Sequence, residues 1–500
     1  MNEDIEGSKR AGHFTIAPGK EISGEITFAG EKTTLYLHDK EFFSTHSLPD
    51  QAITGVFLDL RKVSLIDCIT TSGPGSGGRG NESYKFAHVF PHYILLGDHH
   101  IGPKEKKVTE ISFTVNDATA LFYDFDAFGL VIDAKPYIGQ IANANAKIHG
   151  RKVEIGDDPQ IIYFSGKREI FSADTVLGKV AASHNPSHGM GGPGGISLTN
   201  TIFINITFQE PVEFETAITR FHILRQYLEL LLGRPQKVSK LGVAITPASE
   251  KLPYLSVYKT MDSDRGDSDE DDNRRPHPKD ILLGTIDGLR QFATVLTNWL
   301  ARHQDWRSAR GRFALGFSNL RHYDIDRLVG AANMFDILPE SAAPSDVQLS
   351  TEVIAAKEAS RNIFRALPKT LEREGILNAL GRIGKRNLKQ KIRHRSKLIT
   401  DIAADKFPEL DLMTDEAVNC RNFYVHGNSK PSFDYDEHTE ALSLFTDTLE
   451  FVFGISDMIE AGWDFKAWLT TPTGMSHPFG GYKVSYKQGL STLKALIGKS

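Results

Sequence analysis

Two cysteines in 500 residues, Cys68 and Cys420, exclude a disulfide scaffold and a cysteine-rich zinc site, and they fit a reducing compartment. The chain lacks any apolar run approaching the ~18 residues that span a bilayer, so no membrane-spanning segment is expected. Its start, Met1-Asn2-Glu3-Asp4, is acidic and polar, unlike a secretory signal. These absences together predict a cytoplasmic protein. A Gly-x-Ser-x-Gly elbow is also missing, because Ser76 is not flanked by glycine at both second positions, and that class of serine hydrolase drops out. Neither Gly-rich stretch, 72–80 or 185–195, ends in Gly-Lys-Ser/Thr, so both read as flexible connections and not as phosphate loops. No His-Glu-x-x-His occurs, and His88, His92, His99, His100, His184 and His188 have no cysteines to complete a zinc site. They read as ordinary loop and core histidines, and no metal or other cofactor is expected.

What is present is the composition of a globular chain, 40% hydrophobic and 24% charged, too long for one ordinary core. The formal net charge of −5 means that any nucleic-acid contact must come from a local basic patch. Residues 14–208 alternate apolar and polar in short runs, as in Ile22, Gly24 and Ile26 followed by Leu35 and Leu37, and predict mostly β structure. A helix is expected over 212–232, where Phe214, Ala217, Ile218, Phe221, Leu224, Leu228 and Leu231 make one apolar stripe. Residues 262–280 are acidic, then Arg- and Pro-containing, with no aromatic side chain, and read as a solvated linker or loop. They lack the glycine and glutamate spacing of an EF-hand. Helices are expected over 281–301, 352–367 and 436–461. The fold class is α+β: a β-rich N-terminal domain over 1–261, the linker 262–280, a helical connecting region 281–345 and an all-α bundle over 346–500.

Chemistry concentrates in Cys420-Arg421-Asn422-Phe423-Tyr424-Val425-His426-Gly427-Asn428. Thr414 reads as a helix N-cap, with Asp415 and Glu416 in the first turn. Gly427 suits the C′ position and Pro431 bars continuation, so His426 ends the helix. A permanent cation beside an imidazole is the pair that RNA phosphodiester cleavage needs. The imidazole accepts a proton from a 2′-hydroxyl, and the cation stabilises the five-coordinate phosphate. Arg421 and His426 lie roughly 140° apart on an ideal helix. Their convergence needs the reach of Arg421, a frayed last turn or the same motif from a second subunit, and a two-fold dimer is the favoured solution.

Upstream, a basic run contains Arg382, Lys385, Arg386, Lys389, Arg393 and Arg395, interleaved with Ile376, Leu380, Ile383, Leu388 and Ile392. One reading is a helical face lying on an RNA backbone, positioning the substrate without reading its sequence. The other is an ordinary solvated face.

Arg-x4-His on a helix flanked by helices resembles the motif of HEPN domains, all-α domains many of which are dimeric ribonucleases. The chain as a whole resembles the ApeA family of bacterial anti-phage abortive-infection proteins, in which a β-rich domain precedes a C-terminal HEPN domain. The helix ending Leu230-Leu231-Leu232-Gly233-Arg234-Pro235, the helical segment around Trp299 and the His426-Gly427-Asn428 ending carry that likeness. The resemblance implies a metal-independent endoribonuclease that cleaves host RNA to 2′,3′-cyclic phosphate ends. Arg421, His426 and Asn422 would be its catalytic residues, a homodimer through the helical domain its form and a phage-derived signal its trigger. The competing readings are a non-catalytic module that dimerises or binds a nucleotide while the β-rich domain binds a partner, and a metal-dependent nuclease using the acidic tract.

Overall fold

Strand alternation in the first hundred residues closes on itself. In the computed structural model, the residues described are 5–45, 48–79, 82–124, 126–150, 152–191, 195–246, 253–261, 275–286, 288–319, 322–345, 348–427, 431–472 and 474–498. Most of the acidic tract, 262–274, and Asn428 of the motif lie outside them. The chain forms two units, 1–301 and 302–500.

In the first unit, β1 (Lys9–Ala17), β2 (Lys20–Thr27), β3 (Thr34–Asp39), β4 (Ile53–Phe57), β5 (Lys62–Arg79) and β6 (Glu82–Gly97) are all antiparallel neighbours. Because β5 pairs with β4 and β6, and β6 also with β3, the ring β6-β3-β2-β1-β4-β5 is a closed barrel. Closure removes free edges within the ring, while the β5–β6 hairpin runs on past the part of β5 that pairs with β4. The alternating apolar set, including Phe14, Ile22, Ile26, Leu35, Leu37, Val63, Leu65 and Val89, fills its interior. Gly55 is required by Phe14, whose ring a Cβ would meet at 2.6 Å, and Gly24 by the neighbouring strand, where a Cβ would meet Tyr36 O at 2.6 Å.

Past β6 come β7 (Val108–Val115), α1 (Ala118–Leu121), β8 (Phe128–Val131), α2 (Lys135–His149) and β9 (Ile161–Phe164). Then follow β10 (Glu169–Thr175), β11 (Gly178–Gly191), β12 (Gly195–Val212), α3 (Phe214–Leu232), β13 (Val238–Ile245), β14 (Tyr254–Lys259) and α4 (Leu289–Ala301). The barrel strand β6 continues into an open half-sheet in the order β14-β13-β7-β12-β11-β10, while β8 and β9 pair apart. The apolar stripe of α3 is buried as its spacing predicts, with Phe221 edge-on to Phe113 of β7 at 4.8 Å. After the left-handed Gly233 (φ +76°), Arg234 donates two 2.6 Å hydrogen bonds to the buried Asp117.

The described parts of the Gly-rich stretches are strand and not connecting loops. Residues 72–79 belong to β5, and 185–191 to β11, where Ser187 pairs with Thr199 of β12. Backbone ladders do not need side chains, so glycine extends these hairpins where apolar alternation stops.

The second unit is helical: α5 (His303–Phe317), α6 (Ile325–Asp336), α7 (Thr351–Ala366), α8 (Leu371–Arg382), α9 (Leu388–Ala403), α10 (Leu410–His426), α11 (Glu440–Glu460), α12 (Phe465–Thr470) and α13 (Pro478–Ile497). The expected connecting region 281–345 is therefore no separate body, since α4 lies in the first unit and α5 and α6 in the second. The expected helix over 281–301 begins only at Leu289, after Gly284 and Gly288. Helix α11 contacts α5, α6, α9, α10 and α13 and is buried on all sides, so its apolar residues are more than a stripe.

Buried ion pairs tie this bundle together. Asp457 of α11, 1% exposed, accepts from Arg310 at 2.8 and 2.9 Å and from Arg302 at 2.8 Å. Arg395 of α9 donates to Glu460 at 2.6 Å and to Ser456 at 3.0 Å. All three guanidinium groups lie over the Trp306 ring, 5.0 to 5.3 Å from its centre. Burial pushes the Asp457 carboxyl up, but Arg310, Arg302 and Arg395 outweigh it and hold it below the usual range. Nearby, Tyr323 donates to Asp447 at 2.8 Å, and Arg327 forks onto the buried Glu450 at 3.0 and 2.8 Å. Burial lifts the Asp447 carboxyl to about 6, helped by Glu450 and opposed by the Tyr323 hydroxyl and Arg327.

Arg310→Met strands a buried carboxylate, and urea unfolding of the helical unit should show a loss of roughly 3–5 kcal/mol. Breaking the exposed Lys397–Asp401 pair should leave the transition where it is. Asp447 holds its proton more tightly folded than unfolded, so its stabilising contribution is full below the ordinary aspartate value near 4 and is lost as pH rises through about 6. Wild type should therefore lose stability relative to Asp447→Asn between pH ~4 and ~6; a pH-independent difference between the two melting curves would rule this out.

Candidate functional site

Helix α10 begins at Leu410, four residues before the expected cap. Thr414 is buried inside it, its hydroxyl donating to Asp411 O at 3.1 Å. Leu410, Met413, Ala417, Val418 and Cys420 seat the helix in the core. Burial pushes the Cys420 thiol up to about 12, which suits a packing role and not a nucleophile. Glu416 is 3% exposed and accepts from Tyr435 OH at 2.5 Å, Asn419 at 2.9 Å and Ser432 at 3.0 Å. The bonds from Tyr435 and Ser432 fasten the segment after the helix back onto it. At the end, Gly427 is left-handed (φ +64°) and its N–H donates to Phe423 O at 2.9 Å, closing the last turn beneath His426.

Within one chain, Arg421 and His426 meet. Arg421 Nη1 lies 3.4 Å from His426 Nε2 and donates to Asn422 Oδ1 at 3.0 Å. Its other terminal nitrogen, Nη2, donates to Asn333 Oδ1 on α6 at 3.0 Å. Of the three expected routes to convergence, the favoured one, a second subunit, is not needed for this contact: the length of the arginine spans the angular gap, and the helix stays regular to His426. A guanidinium only donates, so the 3.4 Å contact is a hydrogen bond only when Nε2 carries no proton and Nδ1 does. His426 is exposed and Arg421 half-buried, which leaves both open to a ligand. Asn333 is the site residue that sequence reasoning missed. It belongs to no motif, and only the packing of α6 on α10 brings it near.

The basic run spans the end of α8, the link that carries Lys385 and Arg386, and α9, and its residues part ways. Arg395 is 1% exposed and committed to Glu460, Ser456 and the Trp306 ring, so its expected role in RNA contact is overturned. Arg393 forks onto Asp415, and Arg386 donates to Ser345 O at 2.5 Å. Lys389 donates to Asn419 Oδ1 at 2.7 Å, within one helical turn of Arg421 and Asn422. Arg382 and Lys385 are exposed. Among the carboxylates that could support His426, Asp415 is engaged by Arg393 and Glu416 by Tyr435, Asn419 and Ser432, while Glu352 pairs with Ser350 at the start of α7.

Among the described residues, no group of three or more His, Cys, Asp or Glu could hold a metal ion, and no helix is long and apolar enough to cross a membrane. His184 is instead a buried core histidine, accepting from Asn200 at 2.9 Å and 3.5 Å from Asp124.

Two family models match the chain. ApeA N-terminal domain 1 covers residues 9–299, and Apea-like HEPN covers residues 329–466, a stretch that includes Asn333, Arg421 and His426. No curated protein and no solved structure gives a significant match.

The turn under His426 depends on one glycine. Gly427→Ala should cost about 1 kcal/mol in chemical unfolding, because a Cβ strains the left-handed conformation even with open space around it. Gly427→Asn should cost less than Gly427→Ala.

Proposed function

The chain belongs to the ApeA family, with an Apea-like HEPN domain in its helical unit, and from that premise we propose that it is a metal-independent endoribonuclease acting in anti-phage abortive infection. The observation that carries this reading is the convergence of Arg421 and His426, held from α6 by Asn333.

The Arg421 guanidinium binds a non-bridging oxygen of the scissile phosphate and stabilises the charge that develops there. His426 Nε2 takes the proton from the 2′-hydroxyl; the 2′-oxygen bonds to phosphorus, the bond to the 5′-oxygen breaks, and that oxygen is protonated as it leaves. The ends are a 2′,3′-cyclic phosphate and a 5′-hydroxyl. Asn422 orients Arg421 through its amide oxygen. A phosphate that takes up the Nη1 hydrogen otherwise shared with Nε2 also releases the lone pair of the base, so substrate binding and base activation are coupled. Lys389, adjacent to this end of α10, together with the exposed Arg382 and Lys385, is the basic-run group best disposed to steady the RNA backbone. A homodimer through the helical unit would supply a second Arg421–His426 pair to act as acid on the leaving oxygen. Host RNA is the substrate and a phage-derived signal the trigger.

The test is RNA cleavage by purified protein in excess chelator, with analysis of the product ends. His426→Ala and Arg421→Ala should each lower the rate by about 100-fold or more. Asn333→Ala should lower it by roughly tenfold, with Asn333→Asp restoring part because a carboxylate still accepts from Nη2. Phage protection in cells, measured on the same variants, separates a missing trigger from a non-catalytic module: protection that survives His426→Ala and Arg421→Ala would falsify the enzyme reading.

A further inference from the structure

The open half-sheet of the first unit has two unlike faces. Phe113 of β7 points to α3, so its neighbour Ser112 points the other way. On that second face a concavity of about 370 Å³ opens over β7, β11, β12, β13 and β14, within the size range of small-molecule sites.

Its lining combines three chemistries. Arg168 and Lys240 supply two cations, and no carboxylate lines the concavity. Among the described residues neither cation has a carboxylate partner, and Lys240 Nζ instead lies 5.7 Å from the centre of the Phe203 ring. Glu110, which acts electrostatically on Tyr254, has its carboxylate occupied by the Thr207 hydroxyl at 2.8 Å. The amide oxygen of Asn205 is buried with no hydrogen-bond partner. A buried acceptor left unpaired is costly and calls for a donor. Finally, Tyr254 lies flat across Gly242, hydrogen-bonded to Ser112; a Cβ on Gly242 would sit 2.1 Å from the tyrosine hydroxyl. Tyr254 is 47% exposed and, with Phe203, offers aromatic faces beside the cations.

We propose that this concavity is a binding site for a small nucleoside phosphate. The phosphate meets Arg168 and Lys240, a hydroxyl or amino group of the ligand donates to Asn205, and the planar base lies against Phe203 or Tyr254. A free inorganic anion satisfies only the first of these contacts, and an uncharged nucleoside only the other two.

The experiment is calorimetric titration of the full chain carrying Arg421→Ala and His426→Ala, so that nucleotide held at that pair does not enter the signal. The probes are the common ribonucleoside 5′-monophosphates, their nucleosides and inorganic phosphate. At least one monophosphate should bind saturably, with its nucleoside and inorganic phosphate weaker by about tenfold or more. Lys240→Met and Arg168→Gln, surface changes that leave the sheet intact, should each weaken the monophosphate by about tenfold or more. Gly242→Ala, which pushes the Tyr254 ring out of place, should weaken it further. No binding of any monophosphate at millimolar concentration, equal binding of inorganic phosphate, or affinity unchanged in both Lys240→Met and Arg168→Gln would each overturn the proposal. Should Gly242→Ala fail to fold, the two surface variants decide alone.

Discussion

The helical unit is organised around one buried carboxylate in particular, that of Asp457. Asp457 sits on the central helix with no access to water, and a lone charge there would cost several kcal/mol. It is made tolerable by Arg310 and Arg302, whose guanidinium groups stack with that of Arg395 over Trp306. Each arginine comes from a place that must stay put: α5 carries Arg310, the residue just before α5 is Arg302, and α9 carries Arg395. Hydrophobic contact alone would let these helices slide on α11, because apolar packing has little directional preference. Forked hydrogen bonds to one carboxylate and its neighbour Glu460 do not allow it.

That fixed frame reaches the candidate site through α9 and α6. Helix α9 contacts both α11 and α10 and bonds to α10 through Lys389–Asn419 and Arg393–Asp415. Helix α6 is held to α11 by Arg327 and Glu450 and presents Asn333 to Arg421. Arg421 is therefore aimed by an element that is itself anchored in the core. The basic run illustrates the same division of labour. Its charges are indistinguishable in sequence, yet Arg395 serves the buried cluster, Arg393 and Lys389 dock α10, and Arg382 and Lys385 face outward.

Much of this was legible in the residues. Period-two alternation marked the barrel strands, the spacing of Phe214 to Leu231 marked α3, and Gly427 with Pro431 marked the end of α10. These are local signals, read within a few turns of chain. Local signals place the start of α10 too late, because Thr414 and Asp415 are good capping residues in isolation, whereas the buried Leu410 and Met413 extend the helix backward. The hairpins through 72–79 and 185–191 were hidden because glycine carries no alternation. Barrel closure and the arrival of Asn333, 88 residues before Arg421, depend on long-range packing that no local pattern encodes.

Why an arginine stands at 421 follows from its shape. The guanidinium must reach along the helix to His426, across to Asn333 and sideways to Asn422 at once. One terminal nitrogen takes Asn333 while the other serves Asn422 and His426, so the planar fork is locked in orientation by its own hydrogen bonds. A lysine at the same position has a single nitrogen and no plane to lock; satisfying Asn333 would pull its only charge away from His426. The i to i+5 separation, which looks unfavourable on a helical wheel, becomes workable because the fork is long enough to cross the gap and rigid enough to stay there. Reach, and not the number of residues between the two side chains, is what brings the cation to the imidazole.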